Sequence, residues 1–387
     1  MRFLPLLALA GCATAATPSA PALRPDATVR VAAIQPRSRL IDPKLTDPAE
    51  ILRRVETSLD ELAGLVAKAA EAGCGAAALP EDTCGLGRLE AGNPELARRI
   101  LPKAVDLMLA RLGRAAREHR MTIVCCNDTV EPDGREANVS YLIGPDGNVL
   151  GRYLKVNMPI HELYKKRGDG FPVFPAPGLG NVGMLICYDM VFPEAARCLA
   201  LAGADVVFHP TLGGAAIGDG EVSRCAFRTR AVENFVYIVV AQRGGGSMIV
   251  SPKGEILAEA KGPDSLAIAE IRPGGGREGG DAMNHQEDMR ARLFRERHPA
   301  AFGILTDPDP PVLRRAPEAT TVDDAVRISR GVLSDGEDRF KAAAALERDG
   351  KKDEAVAAFE ALLRDYPRSW IDRVSRQRLE RLRSAGK

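Results

Sequence analysis

The chain contains no pair of cysteines separated by two residues, and its five histidines, at 119, 161, 209, 285 and 298, never recur at helical ligand spacing. Neither pattern offers a ligand set for a structural or catalytic zinc ion, so no metal centre is expected. An excess of one charge is also missing: 53 lysines and arginines against 52 aspartates and glutamates leave +1. Without a basic excess there is no electrostatic footprint for nucleic acid, and without a block of like charge there is no acidic or basic tail. Long apolar runs are absent too, since no segment approaches the roughly 20 residues that a membrane-spanning helix needs.

What is present begins at the N-terminus, where Met-Arg-Phe-Leu-Pro-Leu-Leu-Ala-Leu-Ala-Gly-Cys places one cation before a short apolar run. This reads as a secretory signal, and Leu9-Ala10-Gly11-Cys12 resembles a bacterial lipobox. Cys12 is then the expected lipidated residue, with residues 1–27 as signal and a Pro/Ala/Ser/Thr tether. Ala13, rather than Asp, after that cysteine directs the expectation to the outer membrane. The alternative is a periplasmic or secreted protein cleaved among the small residues up to Ala20. Seven cysteines remain, at 74, 84, 125, 126, 187, 198 and 225, so an oxidising compartment would leave at least one thiol unpaired.

The 387 residues allow a large core and an additional module. From Val29 the pattern alternates strand and helix: strands at Val29–Ile34, Gly75–Glu81 and Met121–Cys126, with helices over about Pro48–Ala72 and Pro94–His119 between them. Gly144-Pro-Asp-Gly147 joins two alternating runs into a hairpin whose outgoing strand ends at Lys155. The stretch Asn181–Glu194 then runs as an apolar strand into Cys187, turns polar, and opens a helix at Pro193-Glu194. Further strands are expected at Asp205–Phe208, Val236–Ala241, Ser247–Val250, Glu255–Glu259 and Leu266–Ile271, with a helix at Glu221–Asn234. This alternation implies a layered α/β fold over residues 28–300. A linker, residues 301–325, contains Asp-Pro-Asp-Pro-Pro, and residues 326–387 read as a small all-helical extension with the small/large pattern of one tetratricopeptide-like hairpin plus a further helix. One such hairpin cannot bury its own face, so it is expected to pack on the rest of the chain or on another copy.

Glu81, Lys155 and Cys187 each sit at the end of an expected strand, where α/β sheets bind ligands. Together they form a set suited to acyl transfer: a thiol nucleophile, a carboxylate to take its proton, and a cation for developing negative charge. The Tyr188 backbone N–H is placed to help hold an oxyanion, Glu162 to orient Lys155, and Asp189 and His209 to complete the substrate side. Taken singly, each has a plainer reading, as a surface carboxylate, a solvated strand end, a helix cap or a buried thiol.

Leu-Pro-Glu81, Tyr-Leu-Lys155 with Glu162 after it, and Ile-Cys187-Tyr-Asp-Met-Val-Phe-Pro-Glu194 resemble the motifs of the carbon–nitrogen hydrolase, or nitrilase, superfamily. Asn138, Gly203-Ala-Asp-Val-Val and Arg230-Ala-Val-Glu-Asn234 follow in the same order, so the resemblance covers about Thr28 to Ile271. It implies a four-layer α-β-β-α sandwich that commonly pairs into a homodimer or higher homo-oligomer, with no metal or organic cofactor. It further implies a catalytic triad of Glu81, Lys155 and Cys187, supported by Glu162. The expected activity is hydrolysis of a linear amide or N-carbamoyl C–N bond in a small molecule, through a thioester. A different class of reading makes the chain a non-catalytic envelope scaffold that binds a partner through its C-terminal helices. Met190 and Val191 stand where the N-carbamoyl-D-amino-acid branch carries paired arginines, and Cys187-Tyr188-Asp189 differs from the Cys-Trp-Glu of nitrilases. Simple or ω-type amides, or N-carbamoyl amines, are therefore expected over nitriles and N-carbamoyl-α-amino acids, with Arg224, Arg228 and Arg243 as alternative carboxylate partners. No candidate catalytic residue lies beyond Pro311, so the C-terminal helices are expected to be dispensable for chemistry.

One outcome follows for the N-terminus: Cys12→Ala should move the protein from the membrane to the soluble fraction, because several acyl chains hold a protein where none does. Unchanged membrane association on fractionation would refute the anchor.

Overall fold

The computed structural model describes residues 27–213, 220–275, 278–279, 287–312 and 322–384; Cys12 and the tether up to residue 26 lie outside the described residues. The first sheet is assembled from β1 (Val29–Gln35), β2 (Ala76–Ala78), β3 (Thr122–Val130), β4 (Glu136–Ile143), β5 (Val149–Leu154) and β12 (Ser265–Ile271), in the order β12-β1-β2-β3-β4-β5. The second contains β6 (Val173–Ala176), β7 (Gly180–Met184), β8 (Val206–Thr211), β9 (Tyr237–Gln242), β10 (Met248–Val250) and β11 (Ile256–Glu259), in the order β11-β10-β9-β8-β7-β6. Each has a parallel centre, β1-β2-β3 or β7-β8-β9, with antiparallel strands at its flanks.

Strand periodicity explains how four layers form. Along β1, Val31 and Ala33 enter the core shared by the two sheets, while Ala32 and Ile34 face the helices on the other side. Burial on both faces is why β1 and β2 read as unbroken apolar runs rather than alternating ones. Helices α1 (Pro48–Glu71) and α3 (Pro94–His119) cover the first sheet with Ile51, Val55, Leu59, Ile100 and Met108. Asp47 and Asn93 cap them, accepting from Ala49 N at 3.0 Å and Leu96 N at 3.2 Å. Helices α4 (Pro193–Leu201) and α5 (Gly220–Asn234) cover the second sheet through Leu199, Phe227 and Ala231. The expected α-β-β-α sandwich is the observed one.

Several strand ends differ from the sequence expectation. β2 stops at Ala78, β5 at Leu154 and β7 at Met184, so Glu81, Lys155 and Cys187 stand on the turns beyond the strands rather than within them. Pro80 cannot donate to a ladder, and Asp82 and Cys187 adopt positive φ values of 53° and 44°, which no strand accommodates. A short helix that sequence reading missed, α2 (Gly87–Gly92), follows the Glu81 turn.

After the sheets, α6 (Met289–Glu296) folds back, with Arg290 Nη2 donating to Ala200 O at 2.6 Å and the Arg197 guanidinium lying 5.0 Å from the Phe294 ring. The helical module starts at Val322, within the expected linker. α7 (Val322–Gly331) continues through a π turn, Val332–Gly336, into α8 (Glu337–Arg348), followed by α9 (Lys352–Asp365) and α10 (Trp370–Ser384). Phe359, Leu362, Ile371 and Leu379 form its own small core. The module docks on the sandwich: α7 lies against α2 and the 3₁₀ turn Ile160–Glu162, and Glu337 pairs with Arg88.

Gly85 closes the turn that carries Glu81. Its φ is +74°, and a Cβ there would lie 2.2 Å from the Arg39 carbonyl oxygen. Gly85→Ala should therefore cost roughly 2–3 kcal/mol, from left-handed strain plus a backbone clash. Gly134→Ala, at φ +80° but with no atom within 4 Å, should cost only about 1 kcal/mol. Denaturant midpoints of the two variants check this; equal losses would show that the Arg39 contact yields freely.

Candidate active site

The turns after β2 and β5 deliver a carboxylate and an ammonium to one place. Lys155 Nζ lies 3.2 Å from Glu81 Oε1 and 2.8 Å from Glu162 Oε2, with Lys155 only 1% exposed. Glu81 is held at both oxygens: Asn138 Nδ2 donates to Oε1 at 2.8 Å, and the Leu212 backbone N–H donates to Oε2 at 3.1 Å. Asn138 lies on β4 directly beside the Glu81 turn, and Leu212 follows the end of β8, so both sheets contribute to fixing this one side chain. Burial alone would lower the Lys155 pKa, but Glu81 and Glu162 outweigh it and raise the pKa well above the ordinary lysine value. Burial would likewise raise Glu162; Lys155 and Lys165 overcome it and hold the carboxyl at about 2.

Cys187 is the first residue of a 3₁₀ turn, Cys187–Val191, that precedes α4. Burial, and next the Glu81 carboxylate, push its thiol up to about 12, against the opposing pull of Lys155 and a hydrogen bond with Thr211. Cys187 is therefore a neutral thiol at rest, within the electrostatic reach of both Glu81 and Lys155. Its positive φ depends on the next residues. Asp189 Oδ2 accepts from Ile186 N at 3.0 Å and from Tyr153 Oη–H at 2.7 Å, while Oδ1 accepts from Asn157 N at 2.8 Å and Asn157 Nδ2 at 3.1 Å.

Two sequence expectations need correction here. Asp189 is wholly buried with both oxygens engaged, so it latches the Cys187 turn to the segment after Lys155 instead of facing substrate. His209 is also wholly buried; its Nδ1 lies 3.1 Å from Leu185 O, its ring packs 5.5 Å from Phe227, and burial drives its pKa down to about 3. A neutral imidazole packed under the sheet end supports β8 and does not line the cavity. Tyr188 is partly exposed, its ring edge-on to Phe192 at 5.4 Å. The three later arginines are spent elsewhere: Arg243 holds Asp82 and the Glu81 backbone, Arg224 pairs with Glu259, and Arg228 donates to Gly254 O. Residues that sequence reading did not assign to the site are Tyr153, Asn157, Thr211 and Leu212. Their only signal is their place immediately beside strand ends.

Beside Glu81 opens a cavity of about 510 Å³ that also takes in Asn138, Glu162 and Leu212. Its inner wall holds a second buried ammonium, Lys165, 2.6 Å from Asp128 Oδ2 and 3.5 Å from Glu90 Oε2. Its outer wall is formed by Val326, Ser329 and Arg330 of α7 with Leu333 and Glu337 after it. The part of the chain beyond Pro311 thus packs on the rest of the chain and borders the cavity, although no residue of the Glu81, Lys155, Glu162 and Cys187 set lies in it.

Known proteins resemble this chain in sequence and in fold. A deaminated glutathione amidase from Synechocystis is 38% identical, the match covering 36% of this chain and 59% of that protein. Human omega-amidase is 28% identical over 46% of this chain and 70% of its own length. The chain spans less than two thirds of the length of the first of these curated relatives. Among solved structures, a carbon-nitrogen hydrolase from Helicobacter pylori shares the fold at TM-score 0.59 and 19% identity, over 73% of this chain and 99% of that one. A glutamate-to-glutamine mutant of the amidase from Nesterenkonia sp. AN1, with acrylamide added at its active-site cysteine, matches at TM-score 0.52 and 26% identity, over 69% and 99% of the two chains. The carbon-nitrogen hydrolase family model matches residues 30–278, spanning both sheets and every residue of the Glu81, Lys155, Glu162 and Cys187 cluster, and the chain belongs to that family.

Proposed function

We propose that this protein is a cysteine-dependent amidohydrolase that cleaves a linear amide C–N bond through a thioester. The observation that carries the reading is the Glu81 carboxylate, pinned by Asn138 and Leu212 N–H and set against an ammonium that Glu162 braces. The Nesterenkonia amidase, whose active-site cysteine takes up acrylamide, supports the same nucleophile.

In this mechanism the Cys187 sulfur attacks the amide carbon while Glu81 takes the thiol proton. A base is needed because the thiol sits far above neutral pKa. The carbonyl oxygen becomes negative and is held by the Lys155 ammonium and the Tyr188 backbone N–H. Collapse breaks the C–N bond, and Glu81 returns its proton to the departing ammonia or amine. Water then attacks the thioester, giving a proton to Glu81; the acid leaves and the thiol is restored. Lys155 stays protonated throughout, since its two carboxylates raise its pKa. Met190 is buried and Val191 is apolar, so neither makes a charge-assisted bond to a substrate α-carboxylate. The reading accordingly favours simple or ω-type amides, with N-carbamoyl amines next, over nitriles and N-carbamoyl-α-amino acids. Leu9-Ala10-Gly11-Cys12 supports a cell-envelope location with Cys12 as anchor, the alternative being a periplasmic or secreted protein, and the family resemblance supports a homodimer or higher homo-oligomer.

Cys187→Ala should stay folded and release no ammonia from any amide in a panel. Glu81→Gln and Lys155→Ala should each lower kcat by about 10³-fold or more, because residues that act as one unit lose nearly everything together. Mass spectrometry showing acyl-enzyme in Lys155→Ala at the parental rate would overturn the assignment.

Glu162 gives a pH test. Its folded pKa of about 2 lies below its ordinary 4.5, so ionisation favours the fold. That contribution is complete above about pH 4.5 and is lost as pH falls toward 2. The difference in Tm between the parent and Glu162→Gln should be constant from pH 5 upward and shrink steadily below it. A difference independent of pH would show that Glu162 does not brace Lys155 as a charge.

A further inference from the structure

We propose that α7 is part of the substrate site and that Arg330 on it binds a carboxylate of the substrate, at the end remote from the scissile amide. The inference rests on the amidase reading above and names the class of amide: the monoamide of a dicarboxylic acid, or an amide with an equivalent distal acid. Arg330 lies beyond residue 278, outside the family match, so the hydrolase fold does not itself supply this group.

Three observations converge on it. The first is placement. Glu81 and Arg330 line the same cavity of about 510 Å³, which is far more room than a short neutral amide fills. Arg330 stands on the α7 wall, so a substrate whose amide meets Glu81 would extend its other end toward α7.

The second is a census of charge. Each other cation on the wall has a carboxylate from the chain itself: Lys165 has Asp128, Arg243 has Asp82 and Arg88 has Glu337. Lys155, just behind Glu81, has two. Arg330 has no such partner among the described residues; its guanidinium carbon lies 5.5 Å from the Tyr164 ring centroid and makes no ion pair. A half-buried guanidinium backed by an aromatic ring keeps its N–H donors for an external acceptor, and a carboxylate matches their forked geometry. Glu81 and Glu162 share Lys155, and Asp128 and Glu90 share Lys165, two carboxylates to each ammonium, so the inner end keeps negative charge and a substrate carboxylate is favoured only at the Arg330 end.

The third is rigidity. α7 packs on α2 and on the 3₁₀ turn that bears Glu162, and the Arg88–Glu337 pair ties the following turn of helix to the same wall. Arg330 is therefore held at a set distance from Lys155 by packed elements rather than carried on a loose tail. A fixed span between the cation and the reacting centre selects for substrate length as well as charge.

The test measures ammonia release from the monoamides of succinic, glutaric and adipic acid, each against the neutral straight-chain amide of equal length. The parent should prefer one of the acids. In Arg330→Ala the ratio of acid to neutral kcat/KM should fall on the order of tenfold to a hundredfold, the loss of one charged hydrogen-bonded pair, with most of it in KM. Arg330→Lys should keep part of the ratio. A ratio unmoved in Arg330→Ala, or a parent indifferent to the distal acid, overturns the inference while leaving the amidase reading in place. Calorimetric binding of the same acids to Cys187→Ala, with and without Arg330→Ala, separates the two claims. If no amide is hydrolysed but binding still depends on Arg330, the amidase reading falls and the anion site stands; if neither is seen, both fall.

Discussion

An ammonium taken out of water is the constraint around which this molecule is built. Lys155 is 1% exposed, and desolvating a charge to that degree costs several kcal/mol unless partners of opposite sign are held in place. Glu81 and Glu162 provide them, but they arrive on separate turns, one after β2 and one after β5, and Glu81 needs Asn138 and the Leu212 backbone to keep its direction. Removing one member would strand the others as buried charge. The stability of the site and its chemistry are therefore the same set of contacts, drawn from both sheets.

The nucleophile is prepared in a different way. A cysteine made reactive by a depressed pKa stores its thiolate in the resting state. Cys187 does the reverse: burial and the Glu81 charge keep it protonated, with the base already beside it. Its backbone sits at φ 44°, an unfavourable region for a side-chain-bearing residue, and is kept there by the four hydrogen bonds that Asp189 accepts. Two of those come from Asn157, two residues beyond Lys155, so the turn that aims the sulfur is fastened to the segment that carries the ammonium.

The helical module enters this scheme at its first helix. α7 touches the turn bearing Glu162 and closes the outer side of the cavity, while α8 to α10 bury Phe359, Ile371 and Leu379 among themselves. A helical hairpin that cannot cover its own apolar face gains by docking, and here the docking surface is the rim of the site. Substrate length and charge can thus be set by residues outside the hydrolase sandwich.

Sequence by itself determined the layered architecture and the members of the charged cluster. Apolar runs and the helices of period 3.6 between them are local signals that need no knowledge of the fold. Glu81, Lys155 and Cys187 were legible because each stands within a few residues of a strand end, where the pattern changes from apolar to polar, and Glu162 because it follows Lys155 in the motif. Which way a side chain points, and what lies opposite it, depends on contacts between residues far apart in the chain, and these only the tertiary structure decided. Asp189 and His209 look like site residues from their neighbours in sequence, yet both are wholly buried: Tyr153 and Asn157 donate to Asp189, and Nδ1 of His209 meets Leu185 O. Arg243 is committed to Asp82, 161 residues away, while Arg330 reaches the cavity only because α7 packs on α2 and on the Glu162 turn. Spacing carries no record of such meetings, since they are fixed by the packing of whole elements and not by the residues on either side.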